Sequence, residues 1–347
     1  RECGILLEGI KDSCASHVIR ETNSVNGQPV KYFVNEKDIS SKDFTDAGEI
    51  ILVDSTLESS LSNLKCSMIS LYFCKDQEVT GNTVTNCSYG IYEYNGTRNA
   101  FKKNIIYDQN ENGINVKDSF SDELTENIAH HNQYGIYCSE SNDTIFLDNE
   151  MYNNSANGLR ISTCANQTIE GCIIHENNGT GISLWHIDFS TIKESESEKN
   201  IGSGIFLYSC INVTIEKNKR ISKNIRDGIE IYSYCENLSV INNKINDNLQ
   251  DGISLYSTKN ITISKNSILR NLRSGITLTN CIENSIIRNN ISENLYAGVL
   301  LDSSENQTID DNSINKNYFG VYLFESFNNT ITYNELLSNV ECIKQIA

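Results

Sequence analysis

Residues 252–274 read GISLYSTKNITISKNSILRNLRS, and residues 275–297 read GITLTNCIENSIIRNNISENLYA. Laid one under the other, Gly252 falls on Gly275, Ile253 on Ile276 and Leu255 on Leu278. Ile263 falls on Ile286, Asn266 on Asn289, Ile268 on Ile291 and Asn271 on Asn294. A fixed period of this length marks a stacked repeat. The frame extends outward through Gly90, Gly113, Gly135, Gly158, Gly181, Gly204, Gly228, Gly298 and Gly320, always 22 to 24 residues apart. Met68 holds the same phase one unit earlier.

Within each unit apolar residues alternate with polar ones, the pattern of short half-buried strands. Two columns of asparagine punctuate them. One comprises Asn82, Asn104, Asn127, Asn149, Asn218, Asn242, Asn266, Asn289, Asn312 and Asn334, broken only by Cys172 and Ser195. The other comprises Asn86, Asn110, Asn132, Asn154, Asn177, Asn200, Asn224, Asn248, Asn271, Asn294, Asn317 and Asn339. Three short strands per unit and no helix-length apolar pattern predict an all-β fold, a parallel β-helix of about 13–14 coils. One domain spans 1–347: irregular coils over 1–65, with an insertion near residues 24–48, then regular coils over 66–347. Stacked asparagine amides are expected to bond from coil to coil, and asparagine tolerates the left-handed backbone of tight turns. The segment KESESEKN, residues 193–200, puts Ser197 at an inward position and predicts a local bulge.

The repeat GIxLxxSxNxTIxxNxIxxN resembles the right-handed parallel β-helix repeats of NosD-type or carbohydrate-associated proteins, abundant on archaeal cell surfaces. The stretch NSVNGQPVKYFVNEKD followed by DAGEIILVD is similar to an insertion that precedes the coils in such surface proteins. The resemblance covers essentially the whole chain. It implies the fold directly and function only loosely, because the family holds enzymes, copper-pathway proteins and passive envelope components.

Composition narrows the classes. The net charge of −17 argues against a nucleic-acid partner, which needs a basic face. No run of apolar residues is long enough for a transmembrane helix. Twelve cysteines and twelve Asn-x-Ser/Thr sequons favour an oxidising, extracellular setting. Residue 1 is Arg, which fits a cleaved secretory precursor. The disulfide candidates are Cys3, Cys14, Cys66, Cys74, Cys87, Cys164, Cys172, Cys210, Cys235, Cys281 and Cys342; Cys138 reads as a buried small hydrophobe. Cys210 and Cys235 are expected to stack on adjacent coils, and Cys3 with Cys342 of a neighbouring molecule is the favoured intermolecular bond. No cysteine or histidine spacing suits a metal, and no cofactor is implied.

At both ends the chain sits near one phase of the repeat. Gly9-Ile10, or alternatively Gly4-Ile5, opens a coil, and Cys342-Ile343 begins one at the glycine position. No capping helix is visible, so both tips read as open strand edges that another copy completes. An outward stripe of aromatics, Tyr72, Tyr94, Trp185, Tyr208, Tyr232, Tyr256 and Phe324, reads as a lateral contact or a surface for stacking sugars. Catalysis on a β-helix needs clustered carboxylates on one outer face. The adjacent pair Asp310-Asp311 points to opposite faces, Glu93 sits at an inward position, and His17, His130, His131, His175 and His186 share no column. The sequence therefore predicts no catalytic residue. It favours a structural cell-envelope protein that assembles with itself, end to end and laterally, into a sheath, filament or surface array held by disulfides. The alternative is a polysaccharide-active lyase, hydrolase or epimerase, or a glycan-binding module.

Overall fold

Apolar side chains at every second position, interrupted by turns every few residues, build short strands, and the computed structural model describes residues 3–346 of them. The chain is an all-β right-handed parallel β-helix of about 14 turns on a repeat of about 23 residues. It divides into two compact units, one ending at Thr168 and one beginning at Ile169. Each coil contributes one strand to each of three sheets, called first, second and third in chain order after the glycine.

In the first unit the first-sheet strands Ile91–Tyr94, Ile114–Lys117 and Ile136–Ser139 pair in parallel, setting Ile91, Ile114 and Ile136 in one column. Phe101, Leu124 and Phe146 form the inward column of the second sheet; Ile106, Ala129 and Met151 form that of the third. In the second unit Ile205, Ile229, Ile253 and Ile276 stack in the same way. All these side chains are buried, each contributing roughly 1.5–3 kcal/mol for the larger ones.

The asparagines bond as the sequence predicts. Asn104 Nδ2 donates to Asn127 Oδ1 at 3.0 Å and Asn127 Nδ2 to Asn149 Oδ1 at 2.9 Å. The backbone N–H groups of Asn104 and Asn127 donate to those same oxygens at 3.1 and 3.0 Å. In the second unit the other column runs unbroken through Asn177, Asn200, Asn224, Asn248, Asn271, Asn294, Asn317 and Asn339. Three positions differ from expectation. Asn86 and Asn110 are exposed outside the ladder; Cys87 and Gln109 hold its rungs, with Cys87 N–H donating to Gln109 Oε1 at 2.8 Å and Gln109 N–H to Asn132 Oδ1 at 3.1 Å. Asn242 is displaced by Asn243, because Ser233 and Tyr234 (φ 25° and 61°) insert one extra residue in the turn before it.

The left-handed backbone also falls elsewhere than expected. It lies on the residue before each rung, such as Glu126 (φ 53°), Lys265 (φ 56°) and Arg270 (φ 53°), not on the ladder asparagine. Asparagine is needed there for its amide rather than its backbone tolerance. The exposed corner residues pair across coils instead, Arg270 with Asp247 at 2.8 Å and Lys316 with Glu293 at 3.2 Å. Such exposed pairs contribute little to stability.

Ser197 causes no bulge. Its strand Glu196–Glu198 keeps register with Ile173–His175 on the preceding coil and with Arg220–Ser222 on the next, Ser197 lying between Ile174 and Ile221, and its Oγ donates to Gly204 O at 2.7 Å.

The N-terminal region departs most from the sequence reading. Residues around Gly9-Ile10 open no coil. Residues 4–10 run as a strap along the outer face of the first sheet and lead into a five-residue helix, Lys11–Ala15. Ile5 N–H donates to both carboxylate oxygens of Glu49, at 2.9 and 3.0 Å, and Leu7 N–H to the Tyr72 hydroxyl at 3.0 Å. Leu7 and Cys14 pack with Val30, Ile51, Val53 and Tyr72 into a second apolar cluster on that face. Ser24–Val25 turns back through Asn26-Gly27 (φ 53° and 79°) to pair antiparallel with Gln28 and Pro29, the start of the edge strand Gln28–Val34. Phe44 is buried beside Phe33, and Lys31 is held by Glu21 and Asp46 at 3.1 and 3.2 Å. The chain's own hairpin thus occupies the start of this edge, over Gln28–Val30, while Ser60–Ser62 and Lys65–Cys66 lie at the N-terminal edges of the other two sheets. In the strand Glu341–Ile346, Ile343 and Ile346 are exposed.

Candidate functional site

Five cysteines, Cys74, Cys164, Cys210, Cys235 and Cys281, share one structural job with serine. Cys74 Sγ faces the carbonyls of Leu52 and Tyr72 at 3.6 and 3.5 Å, and Cys281 Sγ faces those of Leu255 and Thr279 at 3.6 and 3.3 Å. Ser304 Oγ makes the matching bonds one coil later, to Leu278 and Asp302 at 3.2 and 2.9 Å. These side chains also accept from the preceding coil: Ser141 N–H donates to Cys164 Sγ, and Cys210 N–H to Cys235 Sγ, both at 3.3 Å. Cys210 and Cys235 therefore do stack on adjacent coils. Cys172 takes an asparagine rung, its N–H donating to Ser195 Oγ at 3.1 Å. Cys66 and Cys138 are buried, Cys14 is buried in the strap cluster, and Cys3 and Cys342 are exposed. No disulfide joins a cysteine pair among the described residues. No cluster of His, Cys, Asp or Glu there is arranged to hold a metal ion.

The aromatic stripe splits in two. In the first unit Tyr72 is fully buried under the strap, and Tyr94 packs edge-on against Phe73 with Lys117 Nζ 5.9 Å from its ring centre. In the second unit Trp185, Tyr208, Tyr232 and Tyr256 form a continuous column. Tyr232 and Tyr256 stack at 4.8 Å and 9°, Tyr208 and Tyr232 at 6.2 Å and 22°, and Trp185 leans on Tyr208 at 4.9 Å. The rings spend their faces on one another, so solvent meets ring edges and phenol hydroxyls. Phe324 lies half-buried on its strand, opposite Asp302 and Ile346.

Beside that column the outer face of the second unit carries what the sequence reading did not find. Asp227 precedes Gly228, Glu230 follows it by two, and Asp251 precedes Gly252 on the next coil. Alternation turns Glu230 outward from the strand Ile229–Tyr232, and the glycine turn sets both aspartates at its edge. Asp227 Oδ1 accepts from Asp251 N–H and its Oδ2 from Ser254 Oγ, both at 2.8 Å. Asp251 Oδ1 accepts from Ser274 N–H at 2.7 Å. Glu230 Oε2 accepts from Ser203 Oγ at 2.6 Å, while its Oε1 lies 3.3 Å from Arg226 Nη2. The three carboxylates retain only 5%, 9% and 5% of their surface in chain order. Burial, and then the charge of Asp251, pushes Asp227 up to about 7; burial raises Asp251 as well. A carboxyl poised near neutrality can both give and take a proton.

The first unit has a different concavity at equivalent repeat positions. A groove of about 400 Å³ is lined by Leu6 and Glu8 of the strap and by Tyr92, Asn115, Tyr134, Tyr137 and Arg160 of the first-sheet face. Tyr134 and Tyr137 stack at 5.7 Å, and Arg160 lies 5.8 Å from the Tyr134 ring centre. Asn112, also in its lining, is 6% exposed, and its Oδ1 meets no donor.

Glu93, singled out in the sequence, belongs to neither surface. It points into the first unit, where its Oε1 accepts from Asn99 Nδ2 at 2.5 Å and occupies space that a Cβ on Gly96 would fill. Glu93 Oε2 and Asp122 Oδ2 each lack a donor. Both carboxyls are raised, Glu93 by burial and the charge of Asp122, and Asp122 by burial to about 6. One proton shared between them satisfies both oxygens. Asp122 also serves a third ladder that the sequence reading missed, in which Gln77 N–H donates to Asn99 Oδ1 and Asn99 N–H to Asp122 Oδ1 at 2.7 and 2.8 Å. His130 and His131 sit on an exposed corner, with His130 stacked between Tyr107 and Tyr152.

Comparison with solved structures returns polysaccharide-modifying β-helices. A point mutant of the periplasmic alginate epimerase AlgG matches with a TM-score of 0.56 at 14% identity, covering 97% of this chain and 89% of that one. The A-module of the Azotobacter vinelandii mannuronan C-5 epimerase AlgE4 matches with a TM-score of 0.56 at 13% identity, covering 88% of this chain and 97% of that one. The catalytic domain of a GH87 alpha-1,3-glucanase, solved with tetrasaccharides, matches with a TM-score of 0.51 at 12% identity, covering 93% of this chain and 69% of that one. At these identities the likeness is one of fold. No curated protein sequence matches this chain. The model of the right handed beta helix region matches residues 67–187 and 180–337, most of the sequence, and the chain belongs to that right-handed β-helix family.

Proposed function

We propose that this protein acts on a polysaccharide by acid–base chemistry at the outer face of its second unit. The observation that carries this reading is the grouping of Asp227, Glu230 and Asp251 on one face, with Asp227 held near neutrality by burial and Asp251. In this reading Asp227 exchanges a proton with the sugar, while Asp251 and Ser254 orient it. Glu230, braced by Ser203 and Arg226, is the partner carboxylate. The phenol hydroxyls of Tyr208, Tyr232 and Tyr256 line the approach and offer hydrogen bonds to sugar hydroxyls. The groove of the first unit, with stacked tyrosines and amides, suits sugar rings and supports the same substrate class.

Self-assembly end to end has less support. It needs a free N-terminal edge on the first sheet, and the hairpin at Ser24–Val25 already occupies the start of that edge, over Gln28–Val30. An extracellular site of action fits a polysaccharide substrate, and no helix among the described residues is long and apolar enough to cross a membrane.

The test is incubation of the purified protein with neutral and uronate-containing polysaccharides. New reducing ends, ultraviolet absorbance of unsaturated products and sugar stereochemistry by NMR are followed together. Asp227→Asn and Asp251→Asn are each expected to lower turnover by about 10²–10⁴-fold with the fold intact. Turnover unchanged in both variants, or a polysaccharide panel left unaltered by the native protein, overturns the reading.

A further inference from the structure

The strap over the first unit is held by few bonds, and a thiol stands at each side of it. Cys3 is exposed and immediately precedes the strap. Cys87 lies beneath, a rung of the second asparagine column and 1% exposed. Gly4 fits directly against it: a Cβ added at Gly4 would stand 2.9 Å from Cys87 Sγ, 2.8 Å from Met68 Sδ and 2.9 Å from Glu49 Oε1. The Cα of Cys3 is one peptide step further, so it lies within about 8 Å of the Cys87 sulfur. A small shift of an exposed segment brings the pair within disulfide range. Cys66 is a less suitable partner. It is fixed in a strand opposite Val84, and the atoms nearest a Cβ on Gly4 belong to Met68, Cys87 and Glu49, not to Cys66.

We propose that Cys3 and Cys87 form a reversible disulfide that fastens the strap to the outer face of the first unit. The bond forms by exchange with a small disulfide such as oxidised glutathione. The exposed Cys3 thiolate attacks one glutathione sulfur, forming a mixed disulfide and releasing one glutathione thiolate. Cys87 then gives up its proton and attacks the Cys3 sulfur, releasing the second glutathione. Two protein thiols are oxidised and one glutathione disulfide is reduced to two thiols. Burial and the neighbouring Glu49 carboxylate keep Cys87 protonated, so the exposed thiol reacts first. Because Leu6 and Glu8 form one wall of the groove, the bond fixes that wall. Reduction leaves the strap on its non-covalent contacts, the hydrogen bonds of Ile5 to Glu49 and Leu7 to Tyr72 and the packing of Leu7 and Cys14.

The test oxidises the full chain with glutathione disulfide, blocks remaining thiols and maps peptides without reductant. A Cys3–Cys87 linked peptide is expected in the native protein and in Cys66→Ser, and is expected to vanish in Cys3→Ser. Trypsin cleavage after Lys11 is expected to slow at least tenfold on oxidation, and to be insensitive to oxidant in Cys3→Ser. Cys3 is exposed, so its serine variant reports on the bond rather than on folding. A Cys66–Cys87 link, a Cys3 that stays glutathionylated or joins a second molecule, or equal cleavage rates in both redox states overturns the proposal. None of these readouts depends on polysaccharide turnover.

Discussion

The two units share an interior and differ on the outside. In the first, residues 4–15 clothe the first-sheet face: Tyr72 is fully buried, Leu7 and Cys14 pack over Ile51 and Val53, and what remains open is a walled groove. In the second, the equivalent face is bare, Tyr232 and Tyr256 are 38% and 39% exposed, and three carboxylates lie along it. Inward columns and ladders are nearly interchangeable between the two. The repeat frame therefore answers for stability, and the outward positions beside the glycine are free to vary and to carry chemistry.

That division can be broken at its strongest point first. Asn127→Ala in the first unit and Asn271→Ala in the second each orphan the N–H and amide donors of the preceding rung, Asn104 and Asn248. Each is expected to cost about 2–5 kcal/mol by urea unfolding, with similar values for both. A cost confined to one unit would show that the interiors are not equivalent.

The outer faces are expected to respond unequally. Leu7→Ala removes a buried side chain from the strap cluster and should cost about 2–4 kcal/mol. Tyr232→Ala in the second unit loses ring stacking and should cost only about 1 kcal/mol. Equal losses would mean that the strap is an ornament rather than a second core.

The smallest expected effect concerns pH. Glu49 is raised from the ordinary glutamate range to about 7 by burial, relieved in part by Ile5 N–H. A carboxyl raised on folding keeps a proton that the unfolded chain releases. Its stabilising share is therefore complete below the unfolded value and is lost as pH rises through about 7. Glu93 and Asp122 add to this in the first unit, Asp227 and Asp251 in the second. Hydrogen exchange should show the first unit loosening more than the second between pH 5 and 7.5, and Glu49→Gln should flatten part of that trend. A first unit that tightens over this range would refute the assignment of these carboxyls.

The frame was legible because every coil repeats it. Gly252 to Asn271 predicts Gly275 to Asn294 residue for residue, and stacking converts that identity into register. Three rungs fall one residue away from the expected asparagine. Residue type points to Asn86 and Asn110, whereas the positions nineteen places after Met68 and Gly90 are Cys87 and Gln109. Asn242 failed because one residue had been inserted at Ser233-Tyr234. The strap was illegible because its partners, Glu49 and Tyr72, lie 44 and 65 residues away from the groups they bind, and no repeat announces them. The carboxylate group was legible in principle. Asp227 and Asp251 share the column one before the glycine, and Glu230 stands in the column two after it.

The asparagine-to-asparagine rungs are oriented alike, with the amide of one coil giving its hydrogen to the oxygen of the coil that follows. Within each unit these small dipoles therefore add head to tail instead of cancelling. A polarised row strengthens each member through its neighbours. A side chain altered midway should consequently weaken rungs several coils distant, and the row gives each unit an electrical direction along its stacking axis.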